Sequence, residues 1–385
     1  MLIQIHILQN YAPANLNRDD TGAPKDAFFG GYRRGRISSQ CLKRSIRKSE
    51  VFAAAFAADG LLGTRTKKLH QLLAAELVHM NVDDDARSDI LARVAEIGRE
   101  SRKAPAQEET EEGGDAEPSV ATEVDTKQLI FIGCDEIPRL AAALLDLYRR
   151  HGPKEWNDPK KLKIDRITAE LKSEALPRSV DIALFGRMTT SEAFEDVHAA
   201  VQVAHALSTH ALAQEFDYYT AIDDLSTEPG AGMIGDVEFN SSTYYRYLNL
   251  HWEQLLDNLG QDRAVARRAA LALLQAAATA QPTGKQNSFA ALNLPDLVLV
   301  EISPSNLGVS YANAFVRPAR ATAETSLVEA SVNALTDYMQ RVNALYDVQA
   351  ERCFASTGDW CLAGAERASS LAALAKWLEM QLQEV

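Results

Sequence analysis

A cluster of basic residues between Asn15 and Lys48 is the feature of this sequence best suited to binding chemistry. Nine bases and three acids give the segment a net charge of +6 (9 − 3), whereas the whole chain carries −13. The bases are Arg18, Lys25, Arg33, Arg34, Arg36, Lys43, Arg44, Arg47 and Lys48, and the acids are Asp19, Asp20 and Asp26. A positive island in an otherwise acidic chain predicts a dedicated site for a polyanion.

The residues from Ser39 to Ser49 are predicted to form a helix that carries much of this charge. Ser38 and Ser39 stand where an N-cap is expected, after Gly30-Gly31, which allow a close backbone approach. One helical face would hold Gln40, Lys43, Arg44, Arg47 and Lys48, and the other Leu42, Ser45, Ile46 and Ser49. A merely solvated face would normally mix acids with bases, but this helix has four bases and no acid. The pattern therefore favours phosphate binding, with Lys43 and Arg47 one turn apart as a clamp for neighbouring phosphates.

The acids of the basic segment leave a catalytic alternative open. Two-metal hydrolysis needs carboxylates that converge on the cations, and a basic loop is a poor host for them. We therefore favour the interpretation that Asp19, Asp20 and Asp26 orient neighbouring bases or cap turns. A Walker A loop, a GxGxxG fingerprint, an HExxH helix and a nucleophile triad are missing from the sequence. His198, Gln202 and His205 would share a helical face with too few ligand partners, so we expect no metal and no cofactor.

Length and composition restrict the class of protein. A chain of 385 residues with 46% apolar residues predicts one large elaborated domain or two to three modules. No run approaches the roughly 18 apolar residues of a membrane span, and no signal peptide is evident at the N-terminus. The four cysteines form no CxxC pair. We therefore expect a cytoplasmic protein without a disulfide framework, a zinc site or a membrane partner.

The hydrophobic patterns of the first half predict a strand followed by a mostly helical region. Residues 2–8 alternate as in a half-buried strand, and Phe52 to Arg102 has a helical pattern. Residues 104–125 hold eight acids and no base, which indicates a mobile acidic loop. A short strand from Gln128 to Gly133 and a helix from Ile137 to Arg150 are expected next.

The second half predicts more strands. Asp181 to Met188 has strand character, Phe194 to Leu207 is predicted as an amphipathic helix, and Glu215 to Phe239 reads as a long hairpin around a glycine-rich turn. Further strands are predicted at Tyr244 to Trp252 and Asp296 to Ile302, and helices at Asp262 to Ala280, Thr325 to Leu345 and Ala368 to Gln383. The fold class is therefore α+β with a large helical insertion, compatible with a ferredoxin-like or RRM core. The aromatic RNA-binding consensus of ordinary RRM domains is absent from the sequence.

Several motifs resemble one known family in the same order along almost the whole chain. They are LNRDD, PKDAxFGG and RISSQxLKRxxRK within 16–48, VDIALFGRMTTS at 180–191, DYYTAIDDL at 217–225, and Gly284-Lys285-Gln286. This combination resembles the backbone subunit of the type I-E CRISPR surveillance complex Cascade, the CasC family. The resemblance implies a hand-like fold. A modified RRM-like palm would comprise residues 1–55, 181–211 and 243–385 with the C-terminal helices, helical fingers would span 56–180, and a β-hairpin thumb would span 212–242.

The resemblance also assigns roles to individual residues. RNA-binding residues are expected to be Arg18, Lys25, Ser38, Gln40, Lys43, Arg44, Arg47, Arg187, Met188, Tyr219 and Lys285. The lysines Lys154, Lys160, Lys161 and Lys163 match the region that steers target DNA in the family, although in isolation they would read as a solvated face. By pattern alone, an aromatic on a projecting hairpin such as Tyr219 is more often used for local packing than as a stacking platform, and the resemblance reverses that preference.

The resemblance implies a non-catalytic subunit that binds CRISPR RNA and polymerises head-to-tail along it. The guide would be kinked periodically, with its bases presented for pairing with target DNA, and other Cascade subunits would complete the assembly. The alternative from the enzyme class is a metal-dependent backbone ribonuclease of a type III-like complex. A third possibility is an oligomeric scaffold without nucleic acid.

Overall fold

A nine-stranded mixed sheet lies at the centre of the computed structural model, which describes residues 1–94, 96–97, 126, 129–171, 176–189, 193–221 and 233–383. The strands in chain order are β1 Leu2–Asn10, β2 Asp26–Phe29, β3 Tyr32–Ile37, β4 Gly63–Thr66, β5 Ile130–Gly133, β6 Val201–Val203, β7 Ala206–Ser208, β8 Glu215–Ala221, β9 Met233–Phe239, β10 Thr243–His251, β11 Leu297–Ser303, β12 Glu351–Ser356 and β13 Glu366–Arg367. The order across the large sheet is β13-β12-β11-β1-β10-β7-β3-β2, and β6 also pairs with β10. The pairs β4–β5 and β8–β9 form separate two-stranded sheets.

Helices cover both faces of the large sheet and build the insertion. They are α1 Ser39–Lys48, α2 Glu50–Phe56, α3 Leu69–His79, α4 Asp84–Val94, α5 Glu136–His151, α6 Pro153–Trp156, α7 Ile164–Leu171, α8 Val180–Phe185, α9 Trp252–Asn258, α10 Arg263–Thr279, α11 Gln286–Phe289, α12 Leu327–Tyr346 and α13 Leu371–Gln381. The core on one face combines α2, α8, α9, α10 and α13 with β1 and its neighbours. The core on the other face lies under α12. Within the described residues, no helix is long and apolar enough to cross a bilayer.

Strand β1 is central and pairs antiparallel with both β10 and β11. Ile3, Ile5 and Ile7 enter the core that contains α10, whereas Leu8 belongs to the core under α12. The prediction of a half-buried strand was wrong, because the polar face of β1 is buried as well. His6 on that face contacts Tyr245 and Glu301 at 2.8 and 3.1 Å, so protein groups replace water as its partners.

The insertion between α2 and α8 has its own hydrophobic core. Leu73, Ile90, Leu144 and Trp156 are buried together in it, contributed by α3, α4, α5 and α6. The helical character predicted for Phe52 to Arg102 is confirmed for α2, α3 and α4, although β4 interrupts it. The predicted acidic loop at 104–125 lies outside the described residues.

Two predicted elements of the second half were wrong. Residues 180–185 form the helix α8 rather than a strand, with all six residues buried between β4, α9 and α10. Phe194 to Leu207 contains the strands β6 and β7 rather than a helix, because both pair with β10. His198, Gln202 and His205 therefore do not share a helical face. Short apolar runs do not distinguish helix from strand, and the available sheet edge decides the outcome.

The α+β class is confirmed, as are the hairpin of β8 and β9, the strands near 130, 244 and 297, and the helices α1, α5, α10, α12 and α13. The division into palm, fingers and thumb stays a prediction.

Candidate nucleic-acid interface

Helix α1 begins and faces as its sequence predicts. The Ser38 hydroxyl accepts a hydrogen bond from the Cys41 N–H at 3.3 Å and caps the helix. Leu42 and Ile46 are buried, which anchors the apolar face and directs the basic face outward. The amphipathic pattern of α1 thus fixes which side of the helix offers charge.

The loop before β2 is held against the N-terminus of α1. The Asn17 carboxamide oxygen accepts a hydrogen bond from the Ser38 N–H at 2.8 Å, and the Asn17 carbonyl accepts one from the Lys25 N–H at 2.8 Å. The Lys25 carbonyl in turn accepts from the Arg36 N–H at 2.9 Å. These hydrogen bonds hold the loop that carries Arg18 and Lys25 beside the start of α1.

A third segment, the Gly284-Lys285-Gln286 loop, packs directly on this loop. A Cβ at Gly284 would lie 2.7 Å from the Asn15 carbonyl oxygen and closer still to that of Leu16, so only glycine fits there. Lys285 follows with a left-handed backbone, φ 49°. We call the surface formed by residues 15–26, 36–48 and 284–286 the basic surface.

Eight of the eleven residues predicted to bind RNA occupy this surface, with different exposure. Gln40 and Arg44 are exposed, Arg18, Lys25, Lys43, Arg47 and Lys285 are half-buried, and Ser38 is buried as the cap. The Arg47 side chain is only 11% exposed and its Nη1 lies 3.6 Å from Asp181 Oδ2. The Arg47 side chain is therefore packed against the protein rather than extended into solvent.

Two of the three acids of the basic segment are engaged by the protein itself. Asp19 Oδ1 accepts hydrogen bonds from the Thr21 hydroxyl at 2.7 Å and from the Thr21 and Ala23 N–H groups at 3.0 Å each. Asp26 forms an ion pair with Arg33. These contacts agree with carboxylates that cap a turn and orient a base.

Arg34 is buried in the structure, which the charge pattern of the sequence did not predict. Its guanidinium is buried and donates to the carbonyls of Ser208 at 3.1 Å and Phe315 at 2.6 Å. Burial lowers the pKa of this guanidinium from its usual value. Arg34 thus ties β3 to β7 and to the segment between β11 and α12. Not every base between Asn15 and Lys48 is therefore exposed for binding.

Arg187 and Met188 are adjacent but differently placed. Arg187 is buried, with Nη1 2.7 Å from Glu136 Oε2 and 3.1 Å from the Phe131 carbonyl oxygen. Met188 is 91% exposed. The Arg187 guanidinium binds groups within the protein, and these contacts fix the backbone from which the Met188 side chain projects.

Tyr219 lies in the middle of the β8–β9 hairpin opposite Gly235. A Cβ at Gly235 would lie 2.5 Å from the Tyr219 hydroxyl oxygen and 2.6 Å from Cζ, so the ring lies across the partner strand. The ring is still 40% exposed. Tyr218 and Phe216, on the opposite face of the hairpin, are more exposed, at 66% and 65%.

The lysines Lys154, Lys160, Lys161 and Lys163 all lie exposed around α6 and the turn that follows it. Lys161 Nζ lies 3.7 Å from Asp158 Oδ2. The structure brings these lysines together on the insertion, apart from the segments that form the basic surface.

The structure adds Arg65, which was not predicted, to the neighbourhood of Arg47. Arg65 lies on β4 and its charge acts on the Arg47 guanidinium. The sequence did contain a signal, since Arg65, Lys67 and Lys68 fall in a stretch without acids from Leu61 to Ala75. The position of this stretch beside α1 depends on the fold.

The fold is similar to that of chains from CRISPR RNA-guided surveillance complexes. Over 99% of its length the chain superposes on a chain of a solved structure described as "CRISPR RNA-guided surveillance complex, pre-nicking", with a TM-score of 0.79, 30% identity and all of that chain covered. A second chain, from a "CRISPR RNA-guided surveillance complex", gives a TM-score of 0.70 and 27% identity over 99% of this chain and 100% of that one. Residues 3–380 match the family model for CT1975-like Cas proteins, and the chain belongs to that family. No curated protein matches it.

Proposed function

We propose that this chain is a non-catalytic backbone subunit of a type I-E Cascade and belongs to the CasC family. It binds CRISPR RNA on the basic surface, assembles head-to-tail with further copies along the guide, and presents the bases to target DNA. The observation that carries the proposal is the convergence of three distant segments, at 15–26, 36–48 and 284–286, on one basic surface. The similar chains of known structure come from CRISPR RNA-guided complexes, which supports RNA as the polyanion.

The remaining predicted residues take secondary positions in this proposal. The exposed Met188 contacts a base, and Arg187 acts by fixing the backbone beneath it. The β8–β9 hairpin serves as the thumb, where the Tyr219 ring is stiffened against Gly235 and offers its free side to a base or to the neighbouring copy. Lys154, Lys160, Lys161 and Lys163 contribute to contacts with target DNA, and the rest of the acidic chain discourages indiscriminate nucleic-acid binding.

The alternative of a metal-dependent backbone ribonuclease has less support. Asp19 accepts three hydrogen bonds from its own turn and Asp26 pairs with Arg33, so these carboxylates already have protein partners. Mg²⁺-dependent cutting of RNA at regular intervals, abolished by Asp20→Asn or Asp26→Asn, would instead favour the ribonuclease.

The salt dependence of RNA affinity tests the proposed function. In the double variant Lys43→Ala/Arg47→Ala, each lost phosphate contact removes ~0.7 from the slope of log affinity against log salt, and the two together remove ~1.4 (2 × 0.7). Fluorescence anisotropy with a labelled single-stranded oligouridylate over a KCl series measures this slope. A folded double variant with the wild-type slope would contradict the proposal.

A further inference from the structure

The Phe131 ring links the insertion to helix α1 through two arginines. Arg65 and Phe131 are cross-strand partners in the β4–β5 pair. The Arg65 guanidinium carbon lies 4.8 Å from the centre of the Phe131 ring, and that of Arg47 lies 5.0 Å from the same centre. Each distance is within the range of a cation–π contact. One aromatic ring therefore holds two guanidinium groups from separate parts of the chain.

This arrangement concentrates like charge. The charged groups that act on Arg47 are Arg65, Asp181 and Arg44, and two of the three are positive. Burial and then the charge of Arg65 lower the pKa of the Arg47 guanidinium, against the opposing effect of Asp181. Burial likewise lowers the pKa of Lys48, and the charges of Arg47 and Arg44 add to that effect. Arg47 and Lys48 therefore lie close enough to other cations for like charge to lower their pKa values.

Asp181 is already engaged by other donors. Its Oδ1 accepts hydrogen bonds from the Gly63 N–H at 2.7 Å and from the Ile182 N–H at 3.1 Å. Burial raises the pKa of the Asp181 carboxyl, although these hydrogen bonds and Arg47 act against it. The Asp181 carboxylate is shared between two N–H groups and the Arg47 guanidinium, and an external anion beside Arg47 would reduce the repulsion between Arg47 and its positive neighbours.

The two arginines differ in access to solvent. The Arg47 side chain is 11% exposed and Phe131 is 6% exposed, whereas Arg65 is exposed. A guanidinium in contact with an aromatic face can still donate from its N–H groups to the oxygens of a phosphate. The stacking also lowers the conformational entropy that Arg65 would lose when it binds.

We propose that Arg65 of β4 is a phosphate ligand for the guide strand and forms with Arg47 one site for a single phosphodiester. This inference rests on the proposed function and extends the basic surface from α1 onto the insertion. The insertion would then bind the same RNA strand that lies along α1, because Arg65 on β4 lies near Arg47 at the C-terminal end of that helix.

The test uses the full chain and the labelled oligouridylate in the KCl series. Arg65→Ala and Arg65→Gln both remove the charge, and glutamine keeps a planar group that still covers the ring. Both variants are expected to bind more weakly and to show a slope reduced by up to ~0.7, because Arg47 remains as the second ligand of the shared phosphate. The matched control is Arg341→Ala on α12, where the arginine is also exposed and its guanidinium carbon lies 5.6 Å from the Tyr338 ring centre. The control should keep the wild-type affinity and slope.

The outcomes separate this inference from the proposed function. If the slope is unchanged in whichever Arg65 variant folds, while Lys43→Ala/Arg47→Ala lowers it, Arg65 only packs on Phe131 and the inference is wrong. If neither set of variants changes the slope, the proposed function itself fails. A thermal unfolding curve for each variant shows that a lost contact, rather than a lost fold, is being measured.

Discussion

Two clusters of charged residues lie on opposite sides of the central sheet and are built in opposite ways. Under α12, Glu301 is fully buried and forms an ion pair with Arg352. It also accepts a hydrogen bond from the Tyr311 hydroxyl at 3.0 Å and lies 3.1 Å from His6 Nε2. Beside α1, Arg47 and Arg65 share the Phe131 ring, with Asp181 as the nearby carboxylate. In the first cluster, hydrogen-bond donors and Arg352 surround the Glu301 carboxylate. In the second cluster, Arg47 and Arg65 lie near Asp181, whose carboxylate already accepts hydrogen bonds from two backbone N–H groups.

The pKa values follow this difference. Burial alone would raise the pKa of Glu301, but His6 and the Arg352 guanidinium bring it down to about 2. Asp181, also buried, has a raised pKa despite its contact with Arg47. A cluster in which donors and a cation surround a buried anion contributes to the fold, and one in which cations lie beside one another is suited to bind an anion from outside.

The largest expected effect is on the cluster under α12. Glu301→Gln keeps the shape but removes the charge, and leaves Arg352 buried without its anion. Loss of one partner from a buried ion pair costs about 3–5 kcal/mol. Urea unfolding should show a loss of this size, whereas the salt slope of RNA binding should remain that of the wild type. A loss under about 1 kcal/mol, the range of exposed pairs, would place this network among weak surface interactions.

Acid should act on the same network. The folded pKa of Glu301, about 2, lies below its ordinary value of 4.5, so the unfolded chain binds this proton more tightly. The contribution of Glu301 to stability is therefore complete above pH 4.5 and is lost as the pH falls from 4.5 towards 2. Urea midpoints across this interval should fall more steeply for the wild type than for Glu301→Gln. Parallel curves for the two proteins would contradict the assignment.

The matched substitution at the other cluster should have the smallest effect on stability, but it should act on RNA binding, which Glu301→Gln leaves unchanged. Asp181→Asn removes the negative charge 3.6 Å from Arg47, while its carboxamide oxygen still accepts from the Gly63 N–H. The pair is longer than that of Glu301 and Arg47 keeps its contact with the Phe131 ring, so the free energy of unfolding should fall by about 1–3 kcal/mol, less than for Glu301→Gln. RNA affinity should stay equal or increase, because the cations lose a competitor for the phosphate. Weaker binding by a stable Asp181→Asn protein would show that Asp181 orients Arg47 rather than opposing it.

Secondary-structure elements were predictable from the sequence where the hydrophobic pattern is periodic and a capping or turn residue marks the end of the element. Helix α1 required only Ser38, the apolar pair Leu42 and Ile46, and a face without acids, all of which are read from adjacent residues. The long helices α10 and α12 and the hairpin of β8 and β9 followed from similar local patterns. The region from 180 to 208 was predicted wrongly, because its short apolar runs take the conformation that β10 and the neighbouring helices impose on them.

The sequence by itself determined the α+β class, the positive island in an acidic chain, and the residues of α1 that face outward. The tertiary structure alone decided which charges are available for binding. It buries Arg34 and Arg187 among backbone carbonyls and places Gly284 against the loop at residue 15. It also brings Arg65 to Arg47 through Phe131. Charge and periodicity are properties of neighbouring residues, but burial and pairing depend on contacts between segments far apart in the chain, and these form only when the sheet and its helices pack.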